Sequence, residues 1–315
     1  MDLTFLGTGS AMPTRQRNVA AVALRLPDRG ELWLFDCGEA TQHRLLGTPL
    51  RPPQIRRIFV THLHGDHLYG LPGLLTTLSM LGVEAPVDVH GPPGLASYLS
   101  TALGVSQSWC TFPLRVHELP PTGGLEDTGL NVRWLPLVHG VPSFGFRIEE
   151  RARAGRFDAA RAAALGVPSG PAYGTLKAGG TVALADGTVV RGADLTGPPL
   201  PGRVVTICGD SRPCDAGVEL AAGADVLVHE ATFGESRREM AAARGHSTAA
   251  EAAGVARRAG AGRLVLTHFS ARYQVGGTET IEDLLAEARV IFPATDAAHD
   301  LLTLDVPRRA PAGAA

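Results

Sequence analysis

Apolar positions in this chain gather in short runs, and most of those runs stop on a histidine, an aspartate or a glycine. Residues 2–6 alternate with the period of a strand. Residues 19–26 and 32–35 read as two more strands, separated by the turn Pro27-Asp28-Arg29-Gly30. Ile58-Phe59-Val60, 87–89, 132–138, 203–208, 225–228, 263–266 and 301–306 continue the series. Between them, 39–46, 71–81, a stretch ending near 103, 248–259 and 282–290 carry helical spacing, with Pro72 in a first turn and Ser247 or Thr248 at a cap. The polar residues collect at the strand ends: Asp36, His62, His139, Asp210, His229-Glu230 and His268 each close or follow an apolar run. A sheet built this way carries its chemistry along one edge.

The densest of these ends is Thr61-His62-Leu63-His64-Gly65-Asp66-His67. In an extended segment every second side chain points the same way, so His62 and His64 can share one ion, and imidazole with carboxylate suits Zn²⁺. Gly65 is expected to let the backbone turn sharply, which presents Asp66 and His67 as donors to a second ion. Two metals are therefore expected. Gly7-Thr8-Gly9-Ser10 superficially suggests a dinucleotide loop, but the third glycine is missing and Pro13 blocks an immediate helix. His43, His90 and His117 lack clustered partners and read as structural.

Composition narrows the picture. A chain of 315 residues can bury a full core, and a formal charge of −2 with a pI near 6.6 argues against a protein that coats nucleic acid everywhere. Cys37, Cys110, Cys208 and Cys214 form no C-x-x-C pair, and no basic-then-apolar leader opens the chain, which suits a reduced cytoplasmic setting. No run approaches the roughly 20 apolar residues of a membrane span. Residues 149–200 change character: Ala, Gly and Pro dominate, and a core is not expected there. Between 151 and 191, Arg151, Arg153, Arg156, Arg161, Lys177 and Arg191 face only Asp158 and Asp186. Cations concentrated in a long insertion favour a functional loop. The tail from 307 to 315 is expected to fray.

H-x-H-x-D-H after a strand resembles the signature of the metallo-β-lactamase superfamily. The longer string THLHGDHLYGLPGLL resembles the ribonuclease Z family of tRNA 3′-processing endonucleases, in its short form. FLGTGSAMPTRQRN, WLFDCGEATQH, CGDSRP, HEATF, HST and THFSARY extend the similarity over nearly the whole chain. The resemblance implies an α+β fold, a four-layer αβ/βα sandwich forming one domain over 1–315 with an inserted, flexible arm at about 149–200. It implies His62, His64 and His139 on one zinc, Asp66, His67 and His268 on the other, and Asp210 between them; manganese or another divalent ion would serve the same donors. Two such ions would activate a water and offset charge on a phosphodiester. Asp66 would double as proton acceptor, Asp36 would brace the ligand loop, and His246, oriented by Glu230, would protonate the leaving ribose oxygen. Arg15 and Arg17 in the 13–18 loop, and Arg156, Arg161, Gly170, Pro171 and Lys177 in the arm, would contact RNA. The implied partners are precursor tRNA and a second copy in a homodimer, with neither membrane nor DNA. A hydrolase of this fold acting on a thioester, sulfate ester or cyclic nucleotide is the alternative enzyme, disfavoured by the arm and the HEATF, HST and THFSARY strings. A tRNA-binding subunit with dead chemistry would require broken ligands, and none is broken.

Overall fold

The computed structural model describes residues 1–273 and 278–308, so most of the tail expected to fray lies outside the described residues. In chain order the strands are β1 (Asp2–Gly7), β2 (Ala21–Leu26), β3 (Glu31–Phe35), β4 (Ile55–Phe59), β5 (Val87–Gly91), β6 (Leu114–Glu118), β7 (Gly123–Asp127), β8 (Leu130–Leu137), β9 (Ser143–Glu150), β10 (Thr181–Ala183), β11 (Val189–Arg191), β12 (Val204–Cys208), β13 (Val226–Glu230), β14 (Leu264–Thr267), β15 (Thr295–Ala297) and β16 (Thr303–Asp305). One seven-stranded sheet runs β16-β1-β2-β3-β4-β5-β6 and a second runs β15-β14-β13-β12-β9-β8-β7.

Alternation within β3 shows how the layers arise. Trp33 and Phe35 point into a cluster shared with Phe144, Phe146, Val205, Ile207 and Val228 of the second sheet, whereas Leu32 and Leu34 point the other way, toward Leu71, Leu74 and Leu75 of the helix Leu71–Met80. Successive strand residues face opposite sides, so an uninterrupted apolar strand must be covered on both. The second sheet repeats this: its outer face packs Leu227, Leu264 and Leu266 against Ala252, Val255 and Ala256 of the helix Ala249–Ala259. Two sheets face to face with helices outside make four layers. Of the two cap candidates, Thr248 is the one that caps that helix, in a capping box with Glu251.

His90 and His117 extend a stack. Phe35, Phe59, His90 and His117 are register partners across β3 to β6, with centroids 5.0, 4.9 and 4.6 Å apart and planes within 14° of parallel.

The described residues divide into two compact units, one of 1–148 with those of 204–307, and one of 149–203 with 308. The second corrects the expectation that its residues lack a core. Ala162, Val167, Leu176, Val190 and Leu195 bury together, drawn from two short helices (Ala159–Ala164 and Pro171–Lys177), the loop between them, the β10-β11 hairpin and a 3-10 turn. These apolar residues are too widely spaced in sequence to show periodicity, so the pattern hides them. Glu150 and Arg203 close the base of this unit through paired hydrogen bonds of 2.8 and 2.6 Å.

Candidate metal centre

Backbone geometry at the strand ends aims the site. Asp36 follows β3 with φ 61°, His268 follows β14 with φ 60°, and Ala11, in the loop after β1, has φ 62°. Left-handed backbone is costly for residues with a Cβ, by about 1–3 kcal/mol each, and persists where the surroundings over-determine it. At Asp36 and His268 it turns the side chain off the strand and toward the neighbouring ends.

Past β4, residues 60–64 stay irregular up to an extended His64, and the short helix Gly65–Leu68 then begins. Gly65 therefore opens a helix; it does not make a left-handed turn. Its lack of a side chain instead seats Tyr69, whose ring carbon Cε2 would lie 2.2 Å from an added Cβ. Gly70 is required more strictly, because a Cβ there would sit 2.0 Å from the carbonyl oxygen of Gly38. That close approach lets Cys37 donate to His67 O at 2.8 Å and Gly70 donate to Cys37 O at 3.0 Å, which ties the helix to the end of β3.

The donor atoms converge. His62 Nε2 lies 3.1 Å from His64 Nδ1, and His139 Nε2 lies 3.3 Å from the same atom. Asp66 Oδ2 is 3.6 Å from His67 Nε2 and 3.4 Å from His268 Nε2. Between the two groups sits Asp210 Oδ2, at 3.8 Å from His62 Nε2, 3.5 Å from His67 Nε2 and 3.3 Å from His268 Nε2. His62-His64-His139, His62-His67-Asp210 and Asp66-His67-His268 each offer three ligand atoms within 4.8 Å of one another. Imidazole and carboxylate in threes are the donor sets that hold zinc and similar divalent ions.

Four of the rings are fixed by a partner on the opposite nitrogen: His62 Nδ1 by Thr61 Oγ1 at 3.0 Å, His67 Nδ1 by Asp36 Oδ2 at 2.7 Å, His139 Nδ1 by Gly245 O at 2.7 Å and His268 Nδ1 by Thr232 Oγ1 at 2.9 Å. Such bonds choose the tautomer and raise ligand basicity. Asp36 also accepts from Thr61 N at 2.7 Å and from Thr61 Oγ1 at 2.9 Å. Thr61, Thr232, Gly245 and Ala11 are the site residues that sequence reasoning misses. Thr61 and Thr232 at least adjoin the histidine and HEATF strings, whereas backbone partners leave no trace in residue type.

Burial sets the electrostatics. It lowers His62 well below the usual histidine value, with His67 adding to the effect. Burial opposes charge on His67 too, but Asp210 and Asp36 outweigh it and hold that ring well above its ordinary value. Asp210 and Asp66 are pressed upward by burial, yet the surrounding rings pull both well below the carboxylate range. Negative charge that a dication would satisfy is thus gathered in one place.

Glu230, 1% exposed, accepts from Ser211 N, Thr232 N and Thr232 Oγ1 and receives the Nδ1–H of His246 at 2.8 Å. Burial would lower His246, but that bond and the charge of Glu230 raise it to about 8. A cleft of about 530 Å³ is lined by Ser10, Pro13, Asp66, Tyr69, Asp210 and His246, among others.

The expected RNA-binding residues divide. Arg15 is exposed, as are Arg156, Arg161, Gly170, Pro171 and Lys177. Gly170 has φ 118°, with Pro171 beginning the next helix, and Lys177 Nζ lies 5.5 Å from the centre of the Phe157 ring. Arg17 turns inward: its Nη1 donates to Thr8 Oγ1 and Ala298 O at 2.6 and 2.7 Å, so its position is set by the fold.

Known proteins resemble this chain in sequence and fold. A profile described as a β-lactamase superfamily domain matches residues 195–269, and one described as anti-Pycsar protein Apyc1 matches 1–86. Ribonuclease Z of a Cyanothece strain is 52% identical over 308 residues, covering 98% of this chain and 96% of its own; that of Synechococcus strain WH7803 is 52% identical over 311 residues, covering 97% and 96%. The crystal structure of the short form of human tRNase Z superposes with a TM-score of 0.72 at 32% identity, covering 98% of this chain and 100% of that one.

Proposed function

Because the chain belongs to the ribonuclease Z family, metal-binding endoribonucleases of tRNA 3′-end processing with the metallo-β-lactamase fold, we propose that it removes the 3′ trailer from precursor tRNA with two zinc ions and leaves a 3′-hydroxyl on the tRNA. The observation that carries this reading is the convergence of two donor triads on Asp210 Oδ2. His62, His64 and His139 would hold one cation, Asp66, His67 and His268 the other, and Asp210 would serve both; manganese fits the same donors. When bound, the pair supplies Lewis-acid charge for phosphate oxygens and lowers the pKa of water.

The protein's own groups handle the protons. Asp66 has two oxygens, so it can ligate and also take the proton released by the attacking water. His246 gives its Nδ1–H to Glu230, which leaves Nε2 to protonate the departing ribose 3′-oxygen. Precursor tRNA is the partner in this reading, a homodimer the working assembly and the cytoplasm the compartment; no helix among the described residues is long and apolar enough to cross a membrane. The second unit is the arm inserted into a single catalytic domain, and it grips the tRNA body. Exposed Arg156 and Arg161 flanking Phe157 in a cleft of about 610 Å³ support that role.

Elemental analysis of the purified chain, paired with mapping of cleaved precursor ends, tests the proposal. About two zinc or manganese equivalents per chain and a tRNA product oxidisable by periodate are expected. Full activity after complete metal removal, or a 3′-phosphate on the tRNA, overturns it.

A further inference from the structure

We infer that Arg17 and Asp300 are positioning residues: they lock the loop of residues 9–18 so that the backbone N–H of Ala11 fixes Oδ2 of Asp66. The inference rests on the reading of Asp66 as ligand and proton acceptor. Ala11 N donates to that oxygen at 2.7 Å, and the same oxygen faces His268 and His67. What aims Asp66 is therefore a loop 55 residues upstream, at a residue held left-handed.

The loop is anchored on both sides of Ala11. Asp300, whose side chain is 4% exposed, accepts Thr8 Oγ1–H at 2.7 Å on one oxygen and Asn18 N–H at 2.7 Å on the other, and it pairs with Arg44 at 3.0 Å. Arg17 donates to Thr8 Oγ1 and to Ala298 O, while its guanidinium carbon lies 4.9 Å from the centre of the Phe269 ring. Thr8 Oγ1 thus gives its proton to Asp300 and receives one from Arg17. Main-chain bonds complete the clamp: Gly9 N to Asn18 O at 2.8 Å, Ser10 N to Phe269 O at 3.0 Å and Phe269 N to Thr8 O at 2.9 Å. Since Phe269 directly follows His268, one clamp sets both a metal donor and the N–H that holds its neighbour. Arg17 and Asp300 are thus joined through the Thr8 hydroxyl, and a hydrogen-bonded network of this kind is rigid, so removing one member leaves its partners unmet.

An Arg17 that only touches RNA and an Arg17 that positions Asp66 differ on a substrate with no RNA. Arg17→Ala and Asp300→Asn should each lower kcat by about 10- to 100-fold, the usual reach of groups behind a metal ligand. The losses should match on precursor tRNA and on bis(p-nitrophenyl) phosphate, with KM for the small diester and metal content unchanged in the folded variants. Arg17→Lys should restore part of the rate. Ala11→Val, whose branched side chain opposes the left-handed backbone that presents the N–H, should lower kcat on both substrates as well. Wild-type kcat on the small diester in Arg17→Ala and Asp300→Asn, beside an inactive Asp66→Ala, overturns the positioning role alone. An active Asp66→Ala overturns the catalytic reading beneath it.

Discussion

Charged groups are held in contrasting ways in the two units. At the sheet edge, Asp36, Asp66, Asp210 and Glu230 are all buried or nearly so, and each meets two or more donors within hydrogen-bond or ion-pair distance. In the 149–203 unit, Arg156, Arg161 and Lys177 are exposed around a small core of five residues. Dense cross-bonding suits a site that must place ligand atoms to fractions of an ångström, and exposed cations on a modest scaffold suit a long polyanion whose grip tolerates variation. Rate should therefore be written in one unit and affinity in the other.

The largest effect expected from breaking that division is on chemistry. Asp66→Ala should abolish hydrolysis of every phosphodiester, while His246→Ala should cost about 10²- to 10⁴-fold on precursor tRNA and far less on a diester with an activated aryl leaving group. Equal His246→Ala losses on both substrates would remove that residue from proton donation.

Deleting residues 155–190 should do the reverse. KM for precursor tRNA should rise steeply, and the salt dependence of binding should fall by about 0.7 to 0.9 in slope for each phosphate no longer neutralised, with the small diester hydrolysed nearly as before. Tight, salt-sensitive tRNA binding by the folded deletion would return the arm to a solvated insertion.

The smallest effect concerns stability. Burial, helped by His117 and Arg57 and opposed by Asp88, lowers His90 from 6.5 to about 4. Between those values the unfolded chain binds more protons, so stability conferred on the main unit above pH 6.5 is lost as pH falls toward 4, by on the order of 2 to 3 kcal/mol. In the arm unit, burial pushes Glu150 upward but Arg203 outweighs it and holds the carboxyl at about 2, so its contribution persists until pH drops below the ordinary 4.5. His90→Phe keeps the ring stack on Phe59, and because the Nε2 of His90 is without a partner, it removes an unmet polar atom as well. Its melting temperature should exceed that of the wild type by a margin that widens from pH 7 to pH 5; a margin independent of pH would assign the gain to packing.

The sequence exposes the chemistry better than the scaffold. Strand-end donors are legible because a histidine after an apolar run has few other uses in such number, and His62, His64, Asp66, His67, His139, Asp210 and His268 all reach one edge. Strands β7, β10, β11 and β15 are not legible in the pattern, since β7 is half-exposed and the other three are three residues long. The arm core escapes because five apolar residues spread over 34 positions make no period. The anchorage of Arg17 is not legible either, since only the fold brings Thr8, Ala298 and Phe269 around it.

β16 pairs with β1 across nearly the whole chain, Asp2 opposite Asp305 and Thr4 opposite Thr303, and Asp300 lies just before it. During synthesis, every one of the seven donors has been made by residue 268, yet the first sheet still lacks its edge and the 9–18 loop its anchor. A nascent chain at that point holds the parts of a nuclease without the clasp that aligns them. A truncation removing residues 299–315 should therefore leave all seven donors in the chain but the 9–18 loop unanchored, so that metal content and rate part company.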